Sequence, residues 1–454
     1  MTLLVEILRV ARMTRSINVT GMQAKRVLVF AGKLGYQTRS FDAAARKLGI
    51  ELGFVTDRCH QLDDPWGDRA IAVHFESPEV AAYTVLEAVR AGERIDGILA
   101  LGDRPAVAAA YVARGLGLAY NHPLAVEACR SKLRMREVFR DAGLRVPWFR
   151  AVALQPAPEP ALLGISYPCV LKPLSLSAST GVIRANNREE FLRAAARVRG
   201  VLESPEIMAS REANLDQMIV EGYIPGRETA VEGLLTDGEL RVLAIFDKAD
   251  PLEGPFFEET IYVTPSRLGE VQLGKIARCA VDAVRALGLS HGPVHAEFRI
   301  NEEGVWPLEV APRPIGGLCA RALRFVSVEC EETMGLEELL LRHAVEMPVG
   351  NWRREEVASG AMMIPVPVSG VLESVEGEES ARAIHHIVGL EITARLHDYI
   401  AAWPEGSSYL GFLFARAKTA DEVEGALRAA HGKLGFTIRE RLAVEHPATG
   451  RVVE

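Results

Sequence analysis

The 454-residue sequence has no apolar run of about 18 residues or more, the length that a membrane-spanning helix needs. It has only six cysteines and no C-x-x-C pair, which indicates buried free thiols in a reducing cytoplasm. Basic residues are outnumbered, with 52 Lys and Arg against 60 Asp and Glu, for a net charge of −8. A nucleic-acid or anionic-membrane surface is therefore disfavoured, and we expect neither as a partner.

The composition also lacks the bias of fibrous or disordered chains. Hydrophobic residues make up 48% and charged residues 25%, with 39 Gly and 24 Pro, which excludes collagen-like and low-complexity classes. At roughly 150 residues per domain, the length predicts about three domains. Residues 1–24 precede the first predicted strand and include a second methionine, Met22. We therefore interpret them as a disordered arm or a misassigned start. No signal-peptide cleavage site is evident.

From Lys25 onward, apolar runs of four to six residues alternate with helical segments. This alternation predicts a parallel α/β domain over residues 25–122. The turn after its first strand contains Gly32 and Gly35 but neither G-x-G-x-x-G nor G-K-[ST], so a tight strand-to-helix turn is favoured over a phosphate loop. A helix is predicted over 123–142, and Asp237-Gly238 predicts a hairpin turn.

Two strands, PVHAEFRI and VWPLEV, carry the most informative pattern. Alternation gives the first strand an apolar face and an ionisable face. The ionisable face consists of His295, Glu297 and Arg299. In an antiparallel hairpin that faces Phe298 to Leu308, Glu297 lies directly opposite Glu309. Opposed carboxylates repel each other unless a positive group lies between them, and Mg²⁺ is the simplest such group. The alternative is two solvent-facing glutamates on an open sheet.

A second candidate feature is the segment YPCVLKPLSLSASTGV. Lys172 leaves an apolar strand and is followed by a polar loop whose donors suit phosphate oxygens. The loop residues that could donate are Ser175, Ser177, Ser179, Thr180 and Gly181. A polar hairpin with Lys172 at a strand end is the alternative. Lys132 is a weaker candidate, because the basic stretch CRSKLRMR around it is typical of a solvated helical face.

In EVAPRPIGG, Arg313 stands four positions beyond Glu309. If the chain stays extended, the Arg313 side chain lies on the same face as the carboxylate pair, and its planar guanidinium could hold a carboxylate or phosphoryl oxygen. A surface ion pair is the alternative. His291 and His295 cannot form a helical zinc site, because a Gly-Pro pair separates them. No other His, Cys and carboxylate set has metal-ligand spacing, and no G-x-S-x-G nucleophile elbow is present.

Taken in order, SKLRMREVF, VLKP, SLSASTGV, VEGYIPGRE, HAEF and EVAPR resemble the ATP-grasp superfamily over residues from about 25 to 350. Within that span, AVEGLL, FDKADPLEGPFFEETIYVTPS and GPVHAEFRI are similar to the L-amino-acid ligase and carnosine-synthase branch of carboxylate–amine ligases. The resemblance implies a multidomain α/β and α+β fold. Its parts are an N-terminal parallel α/β (pre-ATP-grasp) domain at 25–122, a small subdomain with a linker helix at 123–220, a large subdomain with the metal site at 221–350, and a C-terminal α+β domain at 351–454.

The resemblance also implies a nucleotide site. In such a site Lys132 and Lys172 contact the ATP phosphates, and residues 175–182 form the loop that closes over them. Glu221 and Ile224 flank the adenine, and Glu228 binds the ribose hydroxyls. The strand and turn that carry Glu221 and Glu228 also contain Glu232, to which the resemblance gives no role.

The metal and substrate sites are implied in the same way. Glu297 and Glu309 bind Mg²⁺, or Mn²⁺ in its place, and Arg313 steadies the acyl phosphate. Many relatives have E-x-N-x-R where this chain has Ala311, so either a second metal is held more loosely or water and substrate oxygens replace the amide. The implied acid and amine pocket contains Glu259, Tyr262, His295, Arg313 and Gly316. Glu259 could hold an ammonium group, with a strand-edge ion pair to an arginine as the alternative.

The activity implied by the resemblance is phosphoryl transfer from ATP to a substrate carboxylate, followed by attack of an amine on the acyl phosphate. Amino acids or a related small acid are the expected substrates. A carboxylase or purine-pathway ligase is disfavoured by GPFFEETIYVTPS, and a nucleotide-binding protein without turnover is disfavoured by the full set of Lys, Glu and Arg positions. The C-terminal region is expected to pack beside the active-site cleft, and a homodimer is left open.

Overall fold

A computed structural model of the protein describes residues 24–32, 35–57, 70–90, 94–160, 164–440, 444–445 and 452–453. The predicted N-terminal arm lies outside these residues apart from Ala24, and so does Cys59. Among the described residues, no helix is both long and apolar enough to cross a membrane.

The N-terminal region is a four-stranded parallel sheet with helices packed against it. Its elements are β1 (Arg26–Ala31), α1 (Tyr36–Leu48), β2 (Glu51–Thr56), β3 (Ala70–Ala72), α2 (Pro78–Arg90), β4 (Gly97–Leu101) and α3 (Asp103–Leu116). The strand order is β3-β2-β1-β4, and β1 is buried from Val27 onward, as expected for a sheet that is covered on both faces. The predicted parallel α/β domain is confirmed. Because α3 begins directly after β4, Asp103 lies at the carboxyl edge of the sheet, where ligands commonly bind.

The single helix predicted over 123–142 is wrong. Two helices occupy this region, α4 (Pro123–Arg130) and α5 (Lys132–Asp141). Ser131 between them is extended, and its hydroxyl accepts a hydrogen bond from the Arg134 N–H at 3.3 Å, which caps α5. The backbone N–H of Lys132 donates to Leu174 O at 3.0 Å. The break therefore joins the start of α5 to the loop that follows Lys172.

A small antiparallel sheet follows. Its elements are β5 (Phe149–Ala153), β6 (Cys169–Pro173), β7 (Ile183–Ala185), α6 (Arg188–Leu202), α7 (Pro205–Ser210) and β8 (Gln217–Gly222), with the strand order β5-β8-β6-β7. One face packs on α6, with Leu171 and Val220 in the same apolar cluster as Phe191. Because side chains alternate along a strand, Lys172 and Glu221 lie on the opposite face.

The large sheet is antiparallel and begins with β9 (Arg227–Thr236), β10 (Glu239–Lys248), β11 (Ile261–Thr264), β12 (Gly292–Asn301) and β13 (Gly304–Ala311), with α8 (Glu270–Leu287) inserted after β11. The predicted hairpin turn is confirmed, since Asp237 and Gly238 have φ angles of 52° and 83° between paired residues of β9 and β10. On β12, Ala296 and Phe298 pack against α8 in one apolar cluster. The ionisable face of β12 therefore points the other way, as predicted.

The chain after residue 323 continues in mixed structure. Its elements are β14 (Arg324–Ser327), β15 (Thr333–Gly335), α9 (Leu336–Ala344), β16 (Trp352–Arg354), β17 (Ala358–Ile364), β18 (Gly370–Glu376), α10 (Glu378–Arg382), β19 (Ile387–Ile392), β20 (Tyr399–Ile400), β21 (Gly411–Ala417), α11 (Ala420–His431), β22 (Gly435–Arg439), β23 (Val444–Glu445) and β24 (Val452–Val453). The large sheet has the order β13-β12-β9-β10-β11-β17-β21-β19. It crosses the boundary predicted at 350/351, so the two last regions share one sheet. The C-terminal region is mixed α and β, as predicted.

The five described cysteines form no disulfide. Cys129, Cys169 and Cys319 are buried and Cys279 is partly buried, in line with the predicted free thiols. The prediction of burial is wrong for Cys330, which is exposed after β14 in the segment leading to β15.

Candidate active site

The small sheet and the large sheet enclose a cleft, and the cleft opens into a larger cavity. The cleft is lined by Lys132, Arg136, Val170, Lys172, Leu176, Ser177, Ser179, Val182, Glu221, Gly222, Tyr223, Ile224, Glu228, Phe257, Glu259, Glu297, Arg299, Leu308 and Glu309. The neighbouring space, here called the side cavity, has a volume of about 800 Å³. Both are lined by Ser177, Ser179, Glu259, Glu297 and Glu309, so these residues stand where the two spaces meet.

Glu297 on β12 is directly paired with Glu309 on β13, as predicted from the sequence. The predicted register is wrong immediately beyond that pair, because Phe298 faces Pro307 and not Leu308. A bulge puts one extra residue into β13 at this point, and bulges re-aim backbone groups locally. The Glu309 carboxylate is half-buried and makes no hydrogen bond or ion pair with any other described residue.

Arg136 connects three elements around the cleft. Its guanidinium donates to both carboxylate oxygens of Glu221, at 2.8 and 3.2 Å. It also donates to the carbonyl oxygens of Pro307 and Leu308 at the bulge, at 3.1 and 2.8 Å. Lys172 Nζ lies 2.5 Å from Glu221 Oε1 on the other side. Glu221 is therefore committed to two cations, and its side chain is not free to contact an adenine.

Lys248, at the end of β10, lies among three carboxylates and is only 3% exposed. Its Nζ is 2.6 Å from Glu228, 2.5 Å from Glu259 and 3.0 Å from Glu297. One oxygen atom from each of these three carboxylates lies within 4.8 Å of the others, close enough to share a cation. Glu259 pairs here with a lysine, so the alternative of an arginine partner is wrong. It also precedes β11 and does not belong to it.

The charges in this cluster perturb one another. Burial favours the neutral form of Glu297, but the neighbouring Lys248 and His295 outweigh burial and hold the pKa of Glu297 well below its usual value. Burial and the charge of Glu297 raise the pKa of Glu259 to about 7. The Tyr262 hydroxyl donates to Glu259 Oε2 at 2.6 Å. The cluster thus holds more carboxylates than Lys248 alone can neutralise.

Arg299 and Glu228 shape the inner end of the cleft. Arg299 Nε lies 2.9 Å from Glu228 Oε2, and its Nη1 donates to the carbonyl oxygen of Ile224 at 2.6 Å. The guanidinium also lies 5.2 Å from the ring centre of Tyr223. Val170, Val182, Leu252 and Phe257 pack together beside it, and the first two of these line the cleft with Phe257 as an apolar slot. An apolar surface of this kind suits a heteroaromatic ring.

His295 forms a buried pair in the wall of the side cavity. It lies opposite Glu232 in the β12–β9 ladder, with Nδ1 at 3.0 Å from Glu232 Oε2. Burial lowers the pKa of His295, but hydrogen bonds to Glu232 and Glu297 raise it overall to about 9. Glu232 also accepts the Ile315 N–H at 3.0 Å. These contacts fix the chain just beyond Arg313.

Arg313 lines the side cavity but is held by the N-terminal region. Its Nε donates to Asp103 Oδ1 at 2.8 Å, and its Nη2 donates to Oδ2 at 3.4 Å. Burial raises the pKa of Asp103, but the charge of Arg313 outweighs it and lowers that pKa overall. The pair is largely buried, so the alternative of a surface ion pair is wrong.

The remaining predicted residues are divided between these spaces. Tyr262 and Gly316 line the side cavity, together with His295 and Arg313. Three loop residues line neither space: Ser175, Thr180 and Gly181. Ser175 contacts Ala213 O at 3.5 Å, while Thr180 and Gly181 bond to the C-terminal region. The predicted packing of that region beside the cleft is found, since Thr393 and Tyr409 also line the side cavity.

Sequence reasoning missed Arg136, Lys248 and Asp103 in this site. A signal existed for two of them. Arg136 follows Lys132 by four residues, which places both on one helix face. Lys248 alternates with the buried Ala244 and Phe246 on β10, so it occupies a buried position of the strand. No local pattern pointed to Asp103, because its partner is 210 residues away.

Family models match two segments of the chain. Residues 362–439 match the L-amino acid ligase C-terminal domain 2, and residues 165–322 match the ATP-grasp domain. The chain contains an ATP-grasp domain. The resemblance that the sequence indicated is therefore confirmed, and the segment between Ile165 and Ala322 contains every strand that lines the cleft.

Curated relatives and a solved structure agree with this assignment. The ATP-grasp enzyme fsqD of Aspergillus fumigatus is 27% identical over 61% of this chain and 53% of its own length. Alanine–anticapsin ligase of Bacillus amyloliquefaciens is 31% identical over 44% of each chain. This chain thus spans about half the length of these relatives. An L-amino acid ligase from Bacillus licheniformis superposes with a TM-score of 0.75 at 24% identity, covering 92% of this chain and 100% of the other, which confirms the predicted fold.

Proposed function

We propose that this chain is an ATP-dependent carboxylate–amine ligase. It would form an amide or peptide bond through an acyl phosphate and release ADP and phosphate. The observation that carries the proposal is the pairing of Glu297 with Glu309 at the junction of the cleft and the side cavity. Phosphoryl transfer from one space to a carboxylate in the other would have to occur at this junction. The ATP-grasp domain and the relatives that are ligases support an enzyme of this class.

The lining of the cleft supports a nucleoside triphosphate as its ligand. The apolar slot around Val170 and Phe257 would receive the base, with Ile224 at its edge. Lys132 and Lys172 would face the phosphates from the small sheet. Burial lowers the pKa of Lys172, and its contact with Glu221 works against this by favouring the charged form. Because the Glu221 side chain is committed to Arg136 and Lys172, only its backbone could serve the base.

The residues at the junction fit a divalent cation. Glu309 is half-buried without a partner among the described residues, and it is paired in the ladder with a second carboxylate. Oxygen ligands of this kind suit Mg²⁺ or Mn²⁺ together with substrate phosphates. When bound, such a cation neutralises charge on the β- and γ-phosphate oxygens. Glu297 and Glu309 would hold it from the protein side.

The chain's other groups would position the reactants and neutralise charge. Phosphorylation gives the carboxylate a leaving group, so no protein nucleophile is needed. Arg313, whose guanidinium is held by Asp103, lines the side cavity, where it could stabilise the acyl phosphate and the tetrahedral intermediate. The side cavity also offers Glu259 to the amine, while His295, which lies between Glu232 and Glu297, would orient those carboxylates. The relatives and the matched C-terminal domain favour amino acids as substrates over the bicarbonate of a carboxylase.

The test is a matrix of L-amino acids with ATP and Mg²⁺, scored by phosphate release and product mass. Glu309→Gln should lower turnover by more than about 100-fold. Mutating residues that only hydrogen-bond to a metal ligand already lowers metal affinity or activity by about 10- to 100-fold, and Glu309 would be a ligand itself. Glu302→Gln, an exposed change in the same hairpin, is the matched control and should leave turnover unchanged. Retained ADP formation in Glu309→Gln would contradict the cation site. Bicarbonate-dependent ADP release without an amide product would favour the carboxylase.

A further inference from the structure

The tip of the loop at 175–182 is bound by a short segment of the C-terminal region. This segment, residues 401–406, is called the hook. The indole N–H of Trp403 donates to Ala178 O at 3.0 Å. The Gly181 N–H donates to Pro404 O at 2.9 Å, and the Thr180 hydroxyl donates to Gly406 O at 3.3 Å. Three hydrogen bonds thus join segments that are more than 220 residues apart in sequence.

An ion pair lies beside these hydrogen bonds. Arg197 on α6 contacts Glu405 with both prongs of its fork, at 2.5 and 2.9 Å. Both side chains are more than 40% exposed, so the pair contributes little by itself. It shows, however, that the hook contacts the small sheet's helix as well as the loop.

The hook is stiff. Trp403 is 7% exposed and lies 4.8 Å from the ring centre of Tyr409. The Gly406 N–H donates to Ala402 O at 2.8 Å, which closes a tight turn. A side chain at Gly406 would have its Cβ 2.0 Å from the carbonyl oxygen of Ala401, so this close approach requires glycine.

The loop tip, in contrast, is held in a conformation that it would not keep alone. Ala178 and Ser179 both have φ of 55°, a region that residues other than glycine rarely occupy. Such a backbone persists only where its surroundings fix it. The hook supplies that surrounding, because Trp403 binds the carbonyl of Ala178 itself.

We propose that the hook is a positioning element that closes the loop over the triphosphate in response to the substrate in the side cavity. The proposal rests on the ligase function proposed above. Residues on both sides of the hook, Ile400 before it and Ser407 and Tyr409 after it, line the side cavity. A substrate that packs against them stiffens the hook, and a stiffer hook holds Ser177 and Ser179 over the cleft. Trp403 acts through Ala178 and contacts no reactant.

This coupling has a chemical purpose. If the loop closed fully without an acid in the side cavity, the γ-phosphoryl group would be transferred only to water. If loop closure depends on the hook, water is excluded and the reactants are aligned only once the acceptor carboxylate is present. The C-terminal region would then determine when ATP is used as well as what is joined.

The first test measures amide hydrogen exchange in residues 175–182 of the full-length protein. Trp403→Phe removes the indole donor but keeps a ring beside Tyr409. Exchange in the loop should rise about five-fold, which corresponds to one neutral hydrogen bond of about 1 kcal/mol. Trp352→Phe is the matched control, since Trp352 is 6% exposed and lies in β16, and it should leave the loop unchanged. Arg197→Gln, a surface change that keeps the fold, should act in the same direction but less.

The second test adds ligands. With AMP-PNP and Mg²⁺, an equimolar mixture of the proteinogenic L-amino acids should slow loop exchange further in the wild type and not in Trp403→Phe. The KM for ATP should rise about five-fold in Trp403→Phe, and the ratio of ADP to amide product should increase. If Trp403→Phe and Trp352→Phe had equal hydrogen exchange in residues 175–182 and equal KM values for ATP, the proposed role of the hook would be wrong. A wild type that forms no ADP with any substrate would instead contradict the ligase, while the exchange measurement would still decide on the hook.

Discussion

Glu221 should make the stability of this protein depend on acid in a measurable way. Its carboxylate is buried between Arg136 and Lys172. Burial raises the pKa of Glu221, but the two cations outweigh it and lower that pKa to about 2, against an ordinary value of 4.5. Because the folded pKa lies below the unfolded one, the ionised form stabilises the fold above pH 4.5, and this contribution is lost as the pH falls towards 2.

The size of the effect follows from the two pKa values. A difference of about 2.5 corresponds to roughly 3 kcal/mol of stability at neutral pH. Of this, about 1 kcal/mol should already be lost at pH 4. Glu221→Gln leaves Arg136 and Lys172 buried without their counter-charge, so it should destabilise the protein at pH 7 by roughly 3 kcal/mol. The gap between wild type and variant should narrow as the pH is lowered.

Urea unfolding at pH 7, 5 and 4 measures both quantities. Glu137→Gln, which changes a partly exposed residue of α5, serves as the control and should stay within about 0.5 kcal/mol of the wild type at every pH. If Glu221→Gln had the same free energy of unfolding as the wild type at pH 7, Glu221 would not be needed to neutralise Arg136 and Lys172. If the difference in free energy between variant and wild type stayed constant down to pH 4, the lowered pKa of Glu221 would be wrong.

Three further outcomes are expected. Asp103→Asn should release Arg313 and lower kcat about ten-fold with little change in the KM for ATP, as steady-state kinetics would show; an unchanged kcat would remove the positioning role of Asp103. Lys248→Met should remove the cation that three carboxylates share and lower the melting temperature, with added Mg²⁺ recovering part of the loss in thermal scans. Gly226→Ala should lower the free energy of unfolding by more than about 2 kcal/mol in denaturant experiments, because φ is 119° and the new Cβ would lie 2.3 Å from a backbone oxygen. Gly274→Ala in α8 is the control: its Cβ would contact no other atom that the structure describes, so the change should be neutral or stabilising.

The part of the site that could be predicted is the part that one strand pair determines. Alternation along β12 separated Phe298 from Glu297, and the turn brought β13 back so that Glu309 faced its partner. These relations depend only on neighbouring residues in the chain. The bulge beyond the pair was missed, although Pro307 stands at it and a proline within a strand is typical of an edge or a bulge. The contact of Arg136 with the carbonyls of β13 at this point comes from another element and had no local signal.

The break at Ser131 shows a different limit. Residues 123–142 have helical propensity throughout, and the sequence predicts one continuous helix. Ser131 interrupts it because a hydroxyl can cap a new helix and because the Lys132 N–H finds an acceptor in Leu174. Propensity describes a residue's local preference, while this backbone hydrogen bond joins two distant segments. Asp103 escaped prediction for the same reason, since its role exists only once the N-terminal sheet meets Arg313.

The distribution of charge in the cleft indicates what kind of ligand it binds. Among the described ionisable residues that line it, two cations, Arg136 and Lys172, share the carboxylate of Glu221. Lys248 and Arg299 lie among three carboxylates, those of Glu228, Glu259 and Glu297. Two of these described residues make no ion pair or hydrogen bond to a group of opposite charge: Lys132, whose Nζ donates to the carbonyl of Leu176, and Glu309. A lone ammonium on one wall and a lone carboxylate on the other suit a ligand that is anionic on one side and carries a cation on the other. A triphosphate with its divalent metal ion is such a ligand, and each unpartnered group would face the end of it that it attracts.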